Sequence, residues 1–496
     1  MLHRVVALPC HQETLLPFRH AIFHRTCFCV AAAAMLACGT ASLPVPSHAT
    51  FEAFHEHIVP AAECRSPGLA ALSSQEMLED IATLERLITR GYAGYDAMTP
   101  AEWATIFRAL QGDAPHAASS AEFRDYLAAG LRRVDDNHVG LWSFDPARTF
   151  RSTSGHARPY VGPALTRSET GEEGWLLDGE PVGTCRAQGD VVAPKAVWGD
   201  EGLTHRHVLL SREPLTSLSC ELGVVELEEL RVDYVRGPAF ERIEAPFPWL
   251  RLRSLMTTHA GALDGFVASA REVRDEPVVV VDLRHTGGGS DRYLRRFFAA
   301  FAHEPLDYWQ TGTLRSETML QGGLNFWSCV RANSAGRDAA GRAWLDARIE
   351  RAEREIERDM NERGAFREVI EREMPVAPER PEPFRGRLVV VVDRGCMSAC
   401  ESAVVLARNI PGALIVGENS GGVMKVGELR WYRLPASHVW ISLGHRSHGD
   451  PEGEFREARG FEPRLWLAPG RTDARIRDLA MCLGDAECAN GLEDVL

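Results

Sequence analysis

The chain has 496 residues, 45% of them hydrophobic and 25% charged, apolar content enough for roughly two or three separately cored domains. A formal net charge of −14 excludes a nucleic-acid-binding surface built on general basicity. Lys195 and Lys425 are the two lysines among 55 basic residues, a bias that says nothing sharper about substrate.

The first fifty residues read as a targeting segment. Arg4, Arg19 and Arg25 precede the apolar run CFCVAAAAMLACGTASL, and Ser47-His48-Ala49 is an acceptable small-x-small cleavage site, so residues 1–49 are expected to be a signal peptide. Met35-Leu36-Ala37-Cys38 is an imperfect lipobox, which leaves a lipid anchor on Cys38 as the alternative. The run is shorter than the about 20 apolar residues of a membrane-spanning helix. Past it, His55-Glu56-His57 suits a solvated face better than a metal site, and no CxxC or HExxH pattern occurs. No metal and no cofactor are expected.

From Glu76 to Leu131 apolar residues recur at helical spacing, as in MLEDIATLERLI and AEFRDYLAAGL, which predicts a helical region over residues 50–150. Residues 151–250 turn short and β-like, with EGWLLDGEPV, HRHVLLS and GVVELEELRVDYV, and are expected to form a small β domain. The remainder, 251–496, is expected to be one core. Within it, PVVVVDLRHTGGGSD (277–291) gives an all-valine strand, three glycines that admit a close-lying substrate, and then the helical run RYLRRFFAAF. It holds neither GxxxxGK[ST] nor GxGxxG, so nucleotide binding is disfavoured. Residues 339–373 are rich in alanine, glutamate and arginine, with Trp344, Ile349, Ala352, Ile356 and Met360 along one face of a long helix. Such a helix is a solvated surface or, because it separates two core motifs, a lid.

Residues 386–409, GRLVVVVDRGCMSACESAVVLARN, hold the most informative pattern. Four valines after Leu388 form a buried strand, Arg394-Gly395 breaks it, and a helix begins at or near Ser398. A serine at a strand-to-helix junction has unpaired N–H donors nearby to stabilise the oxyanion of an attacked carbonyl. The alternative is a helix-capping serine.

The paired segments VVVVDLRHTGGGS and VVVVDRGCMSACES, with GALIVGENSGG (412–422) and EARGFEP (457–463), resemble the core of the C-terminal-processing serine peptidases, a family that includes the tricorn-core peptidases and retinoid-binding modules. The resemblance covers about half the chain and implies an α/β fold, a crotonase-like stack of β-β-α turns with added domains. It implies a peptide or protein substrate, Ser398 as nucleophile, and backbone N–H groups of Gly287, Gly288 and Ala399 as the oxyanion hole. For the base there are two candidates. The lysine branch places its lysine where this chain has Val423, with Lys425 two residues on. The tricorn-like branch supplies a histidine from an N-terminal D-x-H segment, matched by His138 in VDDNHVG, and a glutamate matched by Glu457. Asn137 stands where the tricorn core has a serine. The chain is closer to the tricorn-like branch, so His138 is taken as base, Glu457 as its support, and Lys425 as the alternative. A non-catalytic ligand- or peptide-binding protein on the same fold is the other reading.

Eight cysteines remain after the expected cleavage, an even number suited to disulfides in an exported chain. Cys482 with Cys488 is the easiest pair, and Cys185 with Cys220 the next. Cys396 and Cys400 read as two small buried residues rather than a redox lock.

Overall fold

Helix-start signals set the first elements of the computed structural model. Ser73 and Glu76 close a reciprocal capping box at the head of α1 (Ser74–Gly91). Thr99 and Glu102 do the same for α2 (Pro100–Asp113), which carries proline at its first position, and α3 (Ser120–Leu131) follows Ser119. The structure describes Val59, Cys64 and residues 71–493, apart from 143–150, 153–155, 169–173, 189, 201, 232–236, 334–338, 364–365 and 469. The expected leader, Cys38 and the His55-Glu56-His57 triplet lie outside the described residues.

After the helices come β1 (Gly140–Trp142), β2 (Arg158–Val161), β3 (Pro194–Gly199), β4 (Gly202–Ser211), β5 (Phe240–Ile243), β6 (Trp249–Leu252), α4 (Ala260–Val273), β7 (Val278–Asp282) and α5 (Arg292–Ala299). Then follow β8 (Gln310–Ser316), α6 (Glu317–Ala332), α7 (Ala339–Arg363), β9 (Arg367–Arg372), β10 (Arg387–Val392), α8 (Ser402–Arg408), β11 (Ala413–Gly417), β12 (Val426–Arg433), β13 (Trp440–Gly449), β14 (Leu465–Leu467) and α9 (Thr472–Gly484). The fold is therefore mixed helix and sheet.

A ten-stranded sheet runs Glu228–Glu229, β2, β4, β3, β14, β11, β10, β7, β6, β5. Its middle is parallel: β6, β7, β10, β11, β14 and β3 pair in that direction. The valine runs sit here because both faces of these strands are covered, which removes the usual alternation of apolar and polar residues. In β10, Leu388, Val390 and Val392 face a core with α4, α5 and α8, while Val389 and Val391 face a second core with α9. Each fully buried valine stabilises the fold by about 1.5–3 kcal/mol relative to exposure.

A second sheet runs β9, β8, β13, β1 and Arg151–Ser152, with β12 also paired to β13. The inner faces of α1, α2 and α3 pack on it through Ile81, Leu84, Phe107 and Leu127 against Val426, Tyr432, Ile441 and Leu443. The middle region holds short hairpins around Leu165, Val182, Leu218 and Val225, and its strands β3 and β4 extend the ten-stranded sheet.

The long charged segment departs from expectation at its C-terminal end. Its helix ends at Arg363, and Arg367–Arg372, with the β-branched pair Val369-Ile370, becomes an edge strand on β8. Ile349, Ala352 and Ile356 pack on Met319, Leu320 and Leu324 of α6, and Trp344, although 41% exposed, meets Trp327 of the same helix edge-on with ring centroids 5.5 Å apart. Disulfides join Cys482 with Cys488 and Cys185 with Cys220 as expected, and Cys64 with Cys329 in addition. Cys396 and Cys400, read as two small buried residues, are buried and bonded to each other, since a turn brings them together across Ser398. Among the described residues no helix is long and apolar enough to cross a membrane.

Candidate active site

Adjacent parallel strands deliver two loops to one place. The glycine loop leaves the carboxyl end of β7 and the serine turn leaves that of β10, the end of a parallel sheet where ligands gather. Asp393, at the foot of β10, joins the loops: its Oδ1 accepts the N–H of His285 at 2.8 Å, of Gly395 at 2.9 Å and of Cys396 at 3.1 Å. Its Oδ2 lies 3.0 Å from His285 Nε2.

Ser398 opens a short 3₁₀ turn, Ser398–Glu401, that leads into α8. Its φ of 55° is left-handed, a strained conformation for a non-glycine residue and one that tends to mark functional turns. The hydroxyl does not cap the helix. Its Oγ lies 3.2 Å from Nε2 of His138, 260 positions away in sequence. Gly288 abuts the same serine: a Cβ there would stand 3.0 Å from Ser398 Cβ and 3.2 Å from its Oγ, so only glycine fits without displacing the serine. Gly289, at φ 149°, brings its backbone against Leu255, which pins the loop to the end of β6.

The three expected oxyanion donors divide. Gly287 N–H donates to the His285 carbonyl at 3.1 Å and is occupied. Gly288 N–H has no partner among the described residues. Ala399 N–H precedes the first bond of its turn, Cys400 N–H to the Met397 carbonyl, so it remains available as helix-start donors do.

His138 sits between α3 and β1. Its backbone N–H donates to Asp136 Oδ1 at 2.8 Å, and its carbonyl accepts from Ser442 Oγ at 2.7 Å, which ties the loop to β13. Asp136 also accepts from Tyr92 Oη at 2.7 Å. Burial lowers the imidazole to about 4, opposed by the Val426 backbone, so the ring is neutral across ordinary pH. Nδ1 is buried without a well-formed hydrogen bond. Nearby His448 is lowered to about 3, again by burial first.

Glu457 does not touch the imidazole. Its carboxylate accepts the backbone N–H of Asn137 at 2.8 Å, Met424 at 3.2 Å and Lys425 at 2.9 Å, stapling the histidine loop to residues 424–425. Burial, then the nearby Asp136 charge, raises its pKa. Asn137 Nδ2 donates to the Gly422 carbonyl at 3.1 Å. Among the described residues Ser398 is hydrogen-bonded by His138 and Glu401 and not by Lys425, and Val423 fills the lysine-branch position as a buried side chain.

Two acidic residues escaped the sequence reading. Asp393 ends its valine strand just as Asp282 ends the other, a repeated VVVVD that was the available signal. Glu401 stands three residues after Ser398 in the S-x-x-E spacing of a capping box, and its Oε2 accepts the Ser398 N–H at 3.3 Å. Among the described residues no cluster suited to a metal ion occurs.

Residues 233–464 match the model of peptidase family S41. No curated protein matches the chain by sequence. Among solved structures, the chain is similar to mature CPAF complexed with lactacystin, at 13% identity over 83% of this chain and 97% of that one, with a TM-score of 0.44. It is similar to the photosystem II D1 C-terminal processing protease at 14% identity over 84% and 99%, TM-score 0.37. To the tricorn protease the identity is 10%, over 83% of this chain and 37% of that one, TM-score 0.38. With both loops of the site inside the matched span, residues 233–464 carry a domain of peptidase family S41.

Proposed function

We propose that the protein is an exported peptidase that hydrolyses peptide bonds through an acyl-enzyme on Ser398. The observation that carries this is the 3.2 Å approach of His138 Nε2 to Ser398 Oγ, beside the open donors of Gly288 and Ala399. A neutral imidazole with its proton on Nδ1 takes the hydroxyl proton at Nε2 as Oγ bonds to the scissile carbonyl carbon. The carbonyl oxygen becomes an oxyanion held by the two N–H groups. The C–N bond then breaks, the leaving amine takes the proton from Nε2, and water repeats the sequence to free the acid. Glu457 serves by holding the histidine loop. Lys425 has no part in this route.

The core is read as a crotonase-like β-β-α arrangement, supported by parallel strands β7, β10 and β11 with helices between them. Within the chain, 1–49 is read as a leader, 50–150 as a helical region that donates the base, 151–250 as a β region whose short hairpins stand beside strands it shares with the ten-stranded sheet, and 251–496 as the peptidase core. Export is supported by the leader's composition and by four disulfides, which persist in oxidising compartments.

One experiment tests the reading. Mature protein from a secreting host is treated with a fluorophosphonate and mapped by mass spectrometry. The expected map shows the label on Ser398 and an N-terminus near Thr50 or at lipidated Cys38. An unlabelled Ser398 in folded protein would favour the binding-protein alternative, and an intact Met1 would remove export.

A further inference from the structure

We propose that Glu401 is a positioning residue of the site: its carboxylate holds the Gly422–Val423 backbone to the serine turn and so sets the separation of Ser398 from His138. The proposal rests on the reading of those two residues as nucleophile and base.

Glu401 is fully buried and accepts four hydrogen bonds. Oε1 takes Ser420 Oγ at 2.6 Å and Gly422 N–H at 2.8 Å, and Oε2 takes Val423 N–H at 2.8 Å and Ser398 N–H at 3.3 Å. From this loop the chain of bonds continues. Met424 and Lys425 donate to Glu457, Glu457 accepts from Asn137, and Asn137 precedes His138. One loop, 420–425, is thus gripped from the nucleophile's side by Glu401 and from the base's side by Glu457. Gly421 N–H adds a bond to the Cys396 carbonyl at 2.9 Å, seating the loop on the serine turn. No other described side chain links Ser398 to this loop by hydrogen bonds.

Only an ionised carboxylate satisfies all four donors, because it is acceptor-only at both oxygens. A glutamine keeps the shape but turns one oxygen into an N–H₂ group, which then confronts two donors. Burial raises the Glu401 pKa to about 7 against the pull of its hydrogen bonds. The titratable groups around it are Glu457 across the loop, Asp136 behind Glu457, Lys425 on the loop, and His138 beyond Ser398. Since burial puts His138 near 4, an acid limb near neutrality does not come from the base; Glu401, raised to about 7, contributes to it beside Asp136, raised to about 6, and Glu457, raised by burial.

The test is Glu401→Gln in the full mature chain, assayed on one cleavable peptide. Expected are a fall in kcat of about 10- to 100-fold with KM within about twofold, the size of loss that a small misplacement of reacting groups produces. Wild-type kcat/KM rises with pH through about 7, and in the variant the limb shifts to lower pH, leaving what Asp136 and Glu457 contribute. Glu401→Asp, which keeps the charge, recovers part of kcat and serves where the glutamine variant does not fold. Amide exchange supplies a readout without turnover: in Glu401→Gln the amides of Gly422 and Val423 lose protection while Met424 and Lys425, held by Glu457, keep it. A glutamine variant with wild-type kcat and limb, or with unchanged exchange at Gly422 and Val423, overturns the proposal. Failure of the peptidase reading shows instead as an unlabelled wild-type Ser398, and the exchange result still decides the positioning claim.

Discussion

The serine turn and the histidine loop meet at one point, yet they are built in opposite ways. Ser398 is placed by its own neighbourhood: a buried strand, a turn closed by Cys396 and Cys400, and a helix start, all within residues 387–408. His138 is placed from afar, by β1 pairing with β13, by Ser442 on its carbonyl, and by Glu457 on the N–H of Asn137. The serine's position is therefore local and the histidine's is a product of tertiary contacts. His138 also lies outside the span of the family match, whereas Ser398, Glu401 and Glu457 lie inside it.

The strongest way to break this comparison is to ask whether the distant partner is needed at all. His138→Ala is expected to lower kcat by about 10³-fold or more, since the hydroxyl then loses its proton acceptor. Lys425→Ala is expected to change kcat less than about threefold, as the Ser398 hydroxyl is hydrogen-bonded to His138 and not to Lys425. Steady-state kinetics on one peptide compare the two. An inactive Lys425→Ala beside a near-normal His138→Ala would hand the base back to the matched core.

A second, smaller effect probes the local side. Gly288→Ala places a methyl 3.0 Å from Ser398 Cβ and should cost about 10²-fold in kcat, with little change in thermal stability because the clash falls on the half-buried serine. The rate of fluorophosphonate labelling should fall in step. Labelling at the wild-type rate would mean that the glycine loop moves freely of the serine, and Gly288 would leave the oxyanion assignment.

The same contrast explains what could be read in advance. Valine runs, glycine triplet and serine junction are short-range patterns, and each forms the expected strand, loop or turn. His138 was recognisable through a likeness to a D-x-H segment and not through spacing, because nothing local distinguishes it from a turn histidine. Glu457 was legible as a residue but not in what it holds, since its three partners are backbone N–H groups from two other loops. Glu401 and Asp393 were hidden by the same ambiguity: an acidic residue near a helix start or strand end reads as a cap until its partners are in view. The edge strand β9 was absorbed into the preceding helix because REVIER has no turn signal of its own and pairs only with the distant β8.

The smallest expected effects come from two disulfides and sharpen the comparison most cleanly. Cys396–Cys400 spans four positions around Ser398, and Cys64–Cys329 spans 265, from the N-terminal segment to α6. In the chain-entropy account, cross-linking restricts the unfolded chain by an amount that grows with the logarithm of loop length, about 2 kcal/mol for the short loop and about 6 kcal/mol for the long one. The long bridge should thus act on stability and the short one on the turn it encloses. Replacing Cys64 and Cys329 together with alanine should lower the Tm by several degrees while kcat stays within about twofold. Replacing Cys396 and Cys400 together should shift the Tm less but reduce kcat a few-fold, because the left-handed Ser398 loses a restraint on either side. Calorimetry and kinetics on the two double variants read both quantities. If removing the short bridge leaves kcat untouched, the serine turn is held by Asp393 and Glu401 alone, and the local half of the site is as dependent on tertiary contacts as the histidine loop.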